Sequence, residues 1–286
     1  MKRGHWYRAA GASLIAAALT ARYVARWRRG RGQRHGEHDP LLGRAYIGLD
    51  LSDPYAASPR PCDVAMLSQG LECSFTTWDF QEDGTGIIPE AAIGRSFILA
   101  IDGPQGLAGA DGAVSRESER LVAAPGRTGY RLPEPGKPYN GLIMGSVRLF
   151  QNLVALSPRF RLIGMEGIDD AVANLLEAFP GGAWRVAGGV GLPAKRTLEG
   201  RRARLDLVRQ LDIRLPAEPE LPSADQFDAL MAAWTAWCFG NGLASKKGLP
   251  PTRDPETGII REGYVVLPAP ELADDGRTPR GVVAPV

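Results

Sequence analysis

Two aspartates stand where apolar segments of the chain end, a position at which a carboxylate can take part in chemistry. The apolar run Ala45–Leu51 contains Asp50 near its end, and the run Ser96–Ile101 is followed directly by Asp102. A carboxylate in such a buried position costs several kcal/mol unless it is paired or bound to a cation. Because α/β folds bind ligands in crevices at strand ends, we predict that both aspartates belong to a functional site.

Three more acids extend this candidate site. Asp225 and Asp228 open a predicted helix one turn apart and on one face, and Glu177 lies inside a short apolar segment. Carboxylates that converge repel one another, and a divalent cation such as Mg²⁺ or Mn²⁺ removes that repulsion. The structural alternatives are a helix N-terminal charge for Asp225 and an ion pair with Lys195 or Arg196 for Glu177.

The positions of histidine and cysteine in the chain limit which kinds of catalytic or metal site it can form. The three histidines all lie within the first 38 residues, so a Ser-His-Asp triad or a histidine zinc site would have to recruit that segment. The three cysteines are too few for a disulfide framework and lack the spacing of a zinc site. We therefore expect any metal to be a hard cation held by oxygen, namely Mg²⁺ or Mn²⁺.

The charge is divided unevenly along the chain. The first 36 residues hold nine basic residues and no acid, whereas the rest holds 25 basic and 32 acidic residues. Three interpretations of the basic tail stay open: a disordered extension, an arm or helix that contacts nucleic acid or an anionic membrane, and an export signal over residues 1–21. Arginines directly after the apolar run 9–20 argue against export, so we expect a cytoplasmic protein. We predict a tail over 1–41, disordered or helical, one domain over 42–270 and a second tail over 271–286.

The periodicity of the remaining chain predicts a mixed α/β domain. Three strands joined by short turns come first and form an antiparallel meander, and later strands alternate with helices. The predicted strands are Ala45–Leu51, Asp63–Leu67, Leu71–Phe80, Ser96–Ile101 and Asn174–Phe179, and Ile259–Leu267 is predicted as a strand or a hairpin. The predicted helices are Val114–Ala124, Leu142–Leu156, Leu198–Leu211 and Ala224–Phe239, and the Pro- and Gly-rich residues 125–138 predict a long loop.

Six short segments occur in a characteristic order along the chain. They are IGLDLSDP at 47–54, AIDGPQGL at 100–107, LLEAFP at 175–180, KRTLEGR at 195–201, DQFDALMAAWTA at 225–236 and REGYVVLP at 261–268. Taken together, they resemble the DUF429 family of predicted nucleases. The segment that begins DQFDAL also resembles the last motif of RuvC-type Holliday-junction resolvases. The resemblance covers residues 45–268 and implies an RNase H-like mixed sheet, in which three antiparallel strands are followed by a fourth and a fifth, flanked by helices.

The resemblance also implies roles for the candidate acids. Asp50 matches the acid of the first strand, and Asp102 matches the acid at the end of the fourth. Asp228, with Asp225 beside it, matches the metal-binding acids of the last helix, and Glu177 matches a glutamate that precedes a proline. These matches imply that Asp50, Asp102, Asp225 and Asp228 bind the metal, and that Asp50, Asp102, Glu177 and Asp228 are catalytic.

Basic residues complete the predicted site. Arg116, Lys195, Arg196 and Arg201 are candidates for binding substrate phosphates, and the alternative for each is a solvated helix face. The leading hypothesis is a Mg²⁺- or Mn²⁺-dependent nuclease that acts on nucleic acid. The alternatives are a non-catalytic module that binds nucleic acid or protein, and a nucleotide phosphoryl-transfer enzyme. A single copy of the core and the lack of a P-loop argue against phosphoryl transfer.

Overall fold

A computed structural model of the chain describes residues 43–124, 128–134, 136–188 and 191–269. The strands in these residues are β1 (Ala45–Asp50), β2 (Cys62–Leu67), β3 (Cys73–Trp78), β4 (Phe97–Asp102), β5 (Leu175–Ala178), β6 (Ala244–Lys247), β7 (Thr252–Arg253), β8 (Ile260–Arg261) and β9 (Val265–Pro268). The helices are α1 (Glu117–Val122), α2 (Asn140–Leu156), α3 (Pro180–Val186), α4 (Leu198–Gln210) and α5 (Ala224–Gly240), with a 3₁₀ turn at Glu90–Ala92.

Seven of the strands form one mixed sheet in the order β3-β2-β1-β4-β5-β9-β6. The first three strands are antiparallel neighbours, β4, β5 and β9 then run parallel to β1, and β6 closes the edge antiparallel to β9. Strands β7 and β8 form a separate two-stranded ribbon. The predicted mixed α/β class is confirmed, and an antiparallel meander followed by parallel β4 and β5 is consistent with an RNase H-like arrangement.

Each face of the sheet carries its own hydrophobic core. On one face, alternate residues of the central strands pack against α3, α4 and α5. On the other face, the intervening residues pack against α2, with Leu149, Phe150 and Leu153 at the centre. Thirteen of the 17 residues of α5 are buried, so this helix is an internal element rather than a surface one.

The backbones of α5 and β1 lie very close to each other where the helix crosses the strand at Gly48. A Cβ atom added at Gly48 would lie 2.1 Å from both the Ala229 carbonyl oxygen and the Ala233 nitrogen. No side chain other than hydrogen fits between the two backbones, and the small residues of α5 at this crossing allow the same contact from the other side. Gly48 therefore sets the height of α5 above the sheet.

One predicted strand or hairpin is wrong, and some short elements were not predicted. The segment Ile259–Leu267 is not continuous, because Glu262 and Gly263 have φ values of 56° and 116° and separate β8 from β9. The helix α3, which was not predicted, follows β5 directly and starts at Pro180, a residue that favours the first helical position. The remaining predicted strands and helices are present, with ends displaced by up to three residues.

Several sequence-based predictions concern residues that the structure does not describe. The predicted tails over 1–41 and 271–286 lie outside the described residues, as does part of the predicted loop at 125–138. Among the described helices, none combines the length and the apolar character that crossing a bilayer requires.

Replacement of Gly48 by alanine tests the packing of α5. We expect Gly48→Ala to lower the free energy of unfolding by about 3 kcal/mol, because the added methyl group forces two backbones apart. Urea unfolding followed by tryptophan fluorescence measures the change. Gly70→Ala is the matched control, since its Cβ would meet nothing nearer than 3.5 Å. Equal stability of the two variants would show that α5 has room to move.

Candidate metal centre

Three aspartates form a row across three neighbouring strands. Asp50 is the register partner of Asp63 on β2 and of Asp102 on β4. Register partners share a face of a sheet, and Gly48, two residues before Asp50, lies against α5. The row therefore lies on the α5 side of the sheet, at the carboxyl ends of β1 and β4.

The first turn of α5 brings two more aspartates to this row. The Ser223 side chain caps the helix by accepting from the Gln226 backbone nitrogen at 2.9 Å, and the Gln226 side chain accepts from the Ser223 nitrogen at 2.9 Å. This capping box fixes the orientation of the turn that carries Asp225 and Asp228. The predicted start of this helix, with Ser223 as its N-cap, is confirmed.

Carboxylate oxygens of Asp50, Asp63 and Asp225 lie within 4.8 Å of one another. All three side chains are half-buried, so they face a partly enclosed space rather than open solvent. The donors are carboxylates without histidine or cysteine, which is the ligand set that Mg²⁺ and Mn²⁺ prefer. The arrangement fits one hard divalent cation held by Asp50, Asp63 and Asp225.

Asp228 lies beside this triad but its oxygens already have partners. The Trp184 indole nitrogen donates to one oxygen at 3.1 Å, and the Lys195 ammonium donates to the other. Asp228 is 7% exposed, whereas Lys195 is 44% exposed and stays accessible from outside. Trp184 packs edge-on against Phe227 of α5 with ring centroids 6.0 Å apart, and this contact aims the indole at Asp228.

Burial and repulsion between neighbouring carboxylates raise the pKa values of several aspartates in the cluster. Burial, followed by the negative charges of Asp102, Asp228 and Asp225, raises the pKa of Asp50 to about 9. Burial and the charge of Asp228 raise the pKa of Asp102 to about 7. Burial and Asp225 also raise the pKa of Asp63, while Arg60 opposes them. At neutral pH the cluster thus holds protons that a divalent cation would displace.

Glu177 does not belong to the cluster, which corrects its predicted catalytic role. It is in register with Ile101 rather than Asp102, so it lies on the opposite face of the sheet from the row. Arg116 donates to its two oxygens at 2.7 and 2.6 Å, so the proposed pairing with Lys195 or Arg196 is also wrong. Arg116 is only 1% exposed and cannot reach a substrate phosphate, contrary to its predicted role.

The Glu177–Arg116 pair instead anchors the chain that leaves β4. The Gln105 backbone nitrogen, three residues beyond Asp102, donates to Glu177 at 2.9 Å. Arg116 also donates to Glu119 and, through Nε, to the Thr128 hydroxyl at 3.0 Å. These contacts join the segments on either side of α1 to β5 in a buried, hydrogen-bonded network, which fixes the position at which β4 ends.

A cleft of about 580 Å³ opens beside the triad. Its lining includes Arg60, Arg196 and Arg201 together with Ser223 and Asp225 at the start of α5. Arg60 donates to Asp225 from both terminal nitrogens at 3.2 Å, so it links the cleft to the acids. Arg196 and Arg201, two of the predicted phosphate-binding residues, are thus brought to the same side as the carboxylates.

Sequence reasoning missed Asp63 and Arg60. The signal for Asp63 was present, because it begins a strand predicted to pair antiparallel with the strand that ends at Asp50. A hairpin in that register places the two carboxylates opposite each other. Arg60 follows no pattern of its own and becomes a candidate only through its contact with Asp225.

Residues 145–253 match the model of DUF429, a protein family of unknown function. The match confirms the family resemblance over this segment, which runs from within α2 to β7. It includes Lys195, Arg196, Arg201 and both aspartates of α5, and it excludes β1, β2 and β4. No curated protein and no solved structure gives a significant match to the chain.

Replacement of Asp50 by asparagine tests the electrostatic cost of the cluster. The raised pKa of Asp50 makes its contribution to stability complete below its usual pKa of 3.8 and lost as pH rises toward 9. We therefore expect Asp50→Asn to gain stability relative to the unsubstituted protein as pH rises from 5 to 9, by at most about 1.4 kcal/mol per pH unit.

The measurement is urea unfolding in chelator at pH 5, 7 and 9. Asp111→Asn, at an exposed loop position, should follow the unsubstituted protein throughout. A large loss of stability in Asp50→Asn at every pH would instead identify Asp50 as the partner of a buried cation.

Replacement of Glu177 by glutamine separates structural from catalytic roles. We expect Glu177→Gln to lower the free energy of unfolding by about 3 kcal/mol, because it leaves the buried Arg116 with less negative charge. The effect should be the same with and without Mn²⁺, as measured by chemical denaturation. Glu256→Gln, an exposed control, should change stability by less than about 0.5 kcal/mol. Unchanged stability of Glu177→Gln would contradict the anchoring role.

Proposed function

We propose that the chain is a divalent-metal-dependent nuclease that hydrolyses phosphodiester bonds. The observation that carries the proposal is the contact between an acidic triad and an arginine-lined cleft, joined by the Arg60–Asp225 ion pair. Carboxylates alone would repel a phosphate backbone, and arginines alone would bind it without cleavage. Their combination at one edge of a sheet suits a reaction in which an anionic substrate is bound beside a cation.

Asp50, Asp63 and Asp225 are the residues that would hold Mg²⁺ or Mn²⁺. When bound, such an ion activates water and offsets negative charge that develops on the phosphate oxygens. The donors are fixed before any ion binds, because two of them lie on paired strands and the third on a capped helix. Preorganised ligands reduce the conformational entropy that binding would otherwise cost.

Other residues of the chain orient the substrate and balance charge. Arg196, Arg201 and Arg60 present guanidinium groups that match phosphate oxygens, and they would hold the strand against the cleft. Lys195 donates to Asp228 and offsets one of the negative charges around Asp50. Asp102 lies next to Asp50 in the row, where it is suited to exchange a proton near neutral pH because its pKa is raised to about 7.

The substrate in this proposal is nucleic acid, and the setting is the cytoplasm. The chain beyond residue 36 has more acidic than basic residues, so affinity would come from the local arginines rather than from overall charge. The three cysteines are free thiols buried within the fold, which suits a reducing compartment.

Cleavage assays on matched variants test the proposal. We expect Mn²⁺- or Mg²⁺-dependent cleavage of fluorescent DNA or RNA oligonucleotides, and a loss of about 100-fold or more in Asp63→Asn and Asp225→Asn. Calorimetric titration with Mn²⁺ should show weaker binding in the same two variants. Asp111→Asn should keep both properties. Failure of the unsubstituted protein to bind Mn²⁺ and to cleave single- or double-stranded DNA and RNA would refute the proposal.

A further inference from the structure

A second arginine-lined cleft lies at the other end of the sheet. Its volume is about 220 Å³, and its lining includes Arg44, Arg95, Arg159 and Arg161 together with Phe97 and Asn174. Arg44, Arg95 and Asn174 lie just before β1, β4 and β5, at the amino ends of three parallel strands. The aspartate row lies at the carboxyl ends, so about 17 Å of strand separates the two sites.

The charged side chains that line this cleft are all arginines, so its charge is positive. None of its lining residues is acidic, and within the described part of the chain none of the four guanidinium groups takes part in an ion pair. Four positive charges in one concave surface repel one another and create a strong local positive potential. An anion in the cleft would relieve that repulsion.

The arginines are held in place rather than left to move freely. The Asn174 side chain accepts a hydrogen bond from the backbone nitrogen of Arg161 at 2.8 Å and donates one to the backbone carbonyl of Arg159 at 2.8 Å. These two bonds hold the segment that carries both arginines against the start of β5. The Arg159 guanidinium stacks over the Phe97 ring, 4.7 Å from its centroid. Stacking fixes the plane in which the guanidinium presents its donors.

Two of the arginines use only one nitrogen to anchor themselves. The Nε atom of Arg95 donates to the Gly43 carbonyl at 2.6 Å, and the Nε atom of Arg161 donates to the Val172 carbonyl at 2.6 Å. Their terminal nitrogens have no hydrogen-bond partner among the described residues. Each side chain is therefore oriented by Nε and keeps the other end of its guanidinium available for an anionic ligand.

We propose that this cleft binds the phosphate group of a small phosphomonoester. Guanidinium groups match phosphate oxygens in pairs, and a phosphate ester carries close to two negative charges at neutral pH. The volume is below the roughly 300 Å³ at which sites for whole drug-sized ligands begin, so it suits a phosphate head group whose remainder projects outward. A bounded cleft of this size also differs from the continuous groove that a nucleic-acid strand requires. The proposal does not depend on metal binding or cleavage at the aspartate cluster.

Binding measurements in chelator test this site separately from any nuclease activity. The probes are inorganic phosphate, adenosine 5′-monophosphate, adenosine and an unphosphorylated ten-nucleotide DNA strand, each followed by calorimetric titration and thermal shift. We expect the nucleotide and inorganic phosphate to bind the unsubstituted protein and adenosine not to bind. Arg44→Gln/Arg159→Gln should weaken phosphate binding by about tenfold or more.

The matched control is Arg120→Gln/Arg209→Gln, which removes the same charge from exposed helix positions and should bind as the unsubstituted protein does. Arg44→Gln alone serves if the double variant is unstable, since the side chain of Arg44 makes no hydrogen bond to the described residues. The proposal is overturned if both double variants lose affinity equally, if neither loses it, or if Arg196→Gln/Arg201→Gln loses it instead. It is likewise overturned if adenosine binds as well as the nucleotide, or if the DNA strand depends on Arg44 and Arg159 and binds more tightly.

Discussion

The direct contact between α5 and β1 at Gly48 is the constraint on which the candidate site depends. Because no side chain separates the two backbones, the first turn of α5 is held close above the strand ends. Asp225 then reaches the same space as Asp50 and Asp63, although 165 residues separate Asp225 from Arg60, its ion-pair partner. A helix held farther from the sheet by a larger residue would leave the acids of the strands and of the helix apart.

This packing also supports an arrangement that is unfavourable by itself. Burial of Asp50, together with repulsion from the carboxylates of Asp102 and Asp228, raises the pKa of Asp50. The opposing contribution comes from α5, whose buried Phe227, Leu230, Met231 and Trp234 each contribute about 1.5–3 kcal/mol by burial. Burial of these side chains opposes the cost of the charges, and a cation at the triad would lower that cost.

The sequence predicts the strands and helices that carry the site better than it predicts which side chains pair with one another. The apolar runs that end in Asp50 and Asp102, and the capped helix that begins with two acids, are local patterns, and each is present in the structure. The sequence does not show that Glu177 lies apart from the other acids. Apolar residues stand on both sides of it, so the pattern does not indicate which face of the sheet its side chain occupies. In a strand, a shift of one residue moves a side chain to the other face of the sheet. Its partner Arg116 lies 61 residues away, and no local pattern connects the two.

The two halves of the chain contribute different parts of the site. The segment that matches the DUF429 model supplies Asp225, Lys195, Arg196 and Arg201, whereas Asp50 and Asp63 come from the antiparallel hairpin before it. The matched segment therefore carries two of the three arginines that line the cleft and one acid of the triad. The third arginine, Arg60, and the other two acids precede it, so the segment alone cannot form the metal site. Pairing of β4 with β1 completes the row of aspartates, because parallel register sets Asp102 beside Asp50. The metal site that we propose therefore forms only in the assembled fold. Strands β1 and β2 supply the carboxylates of Asp50 and Asp63, and α5 supplies that of Asp225 beside the cleft.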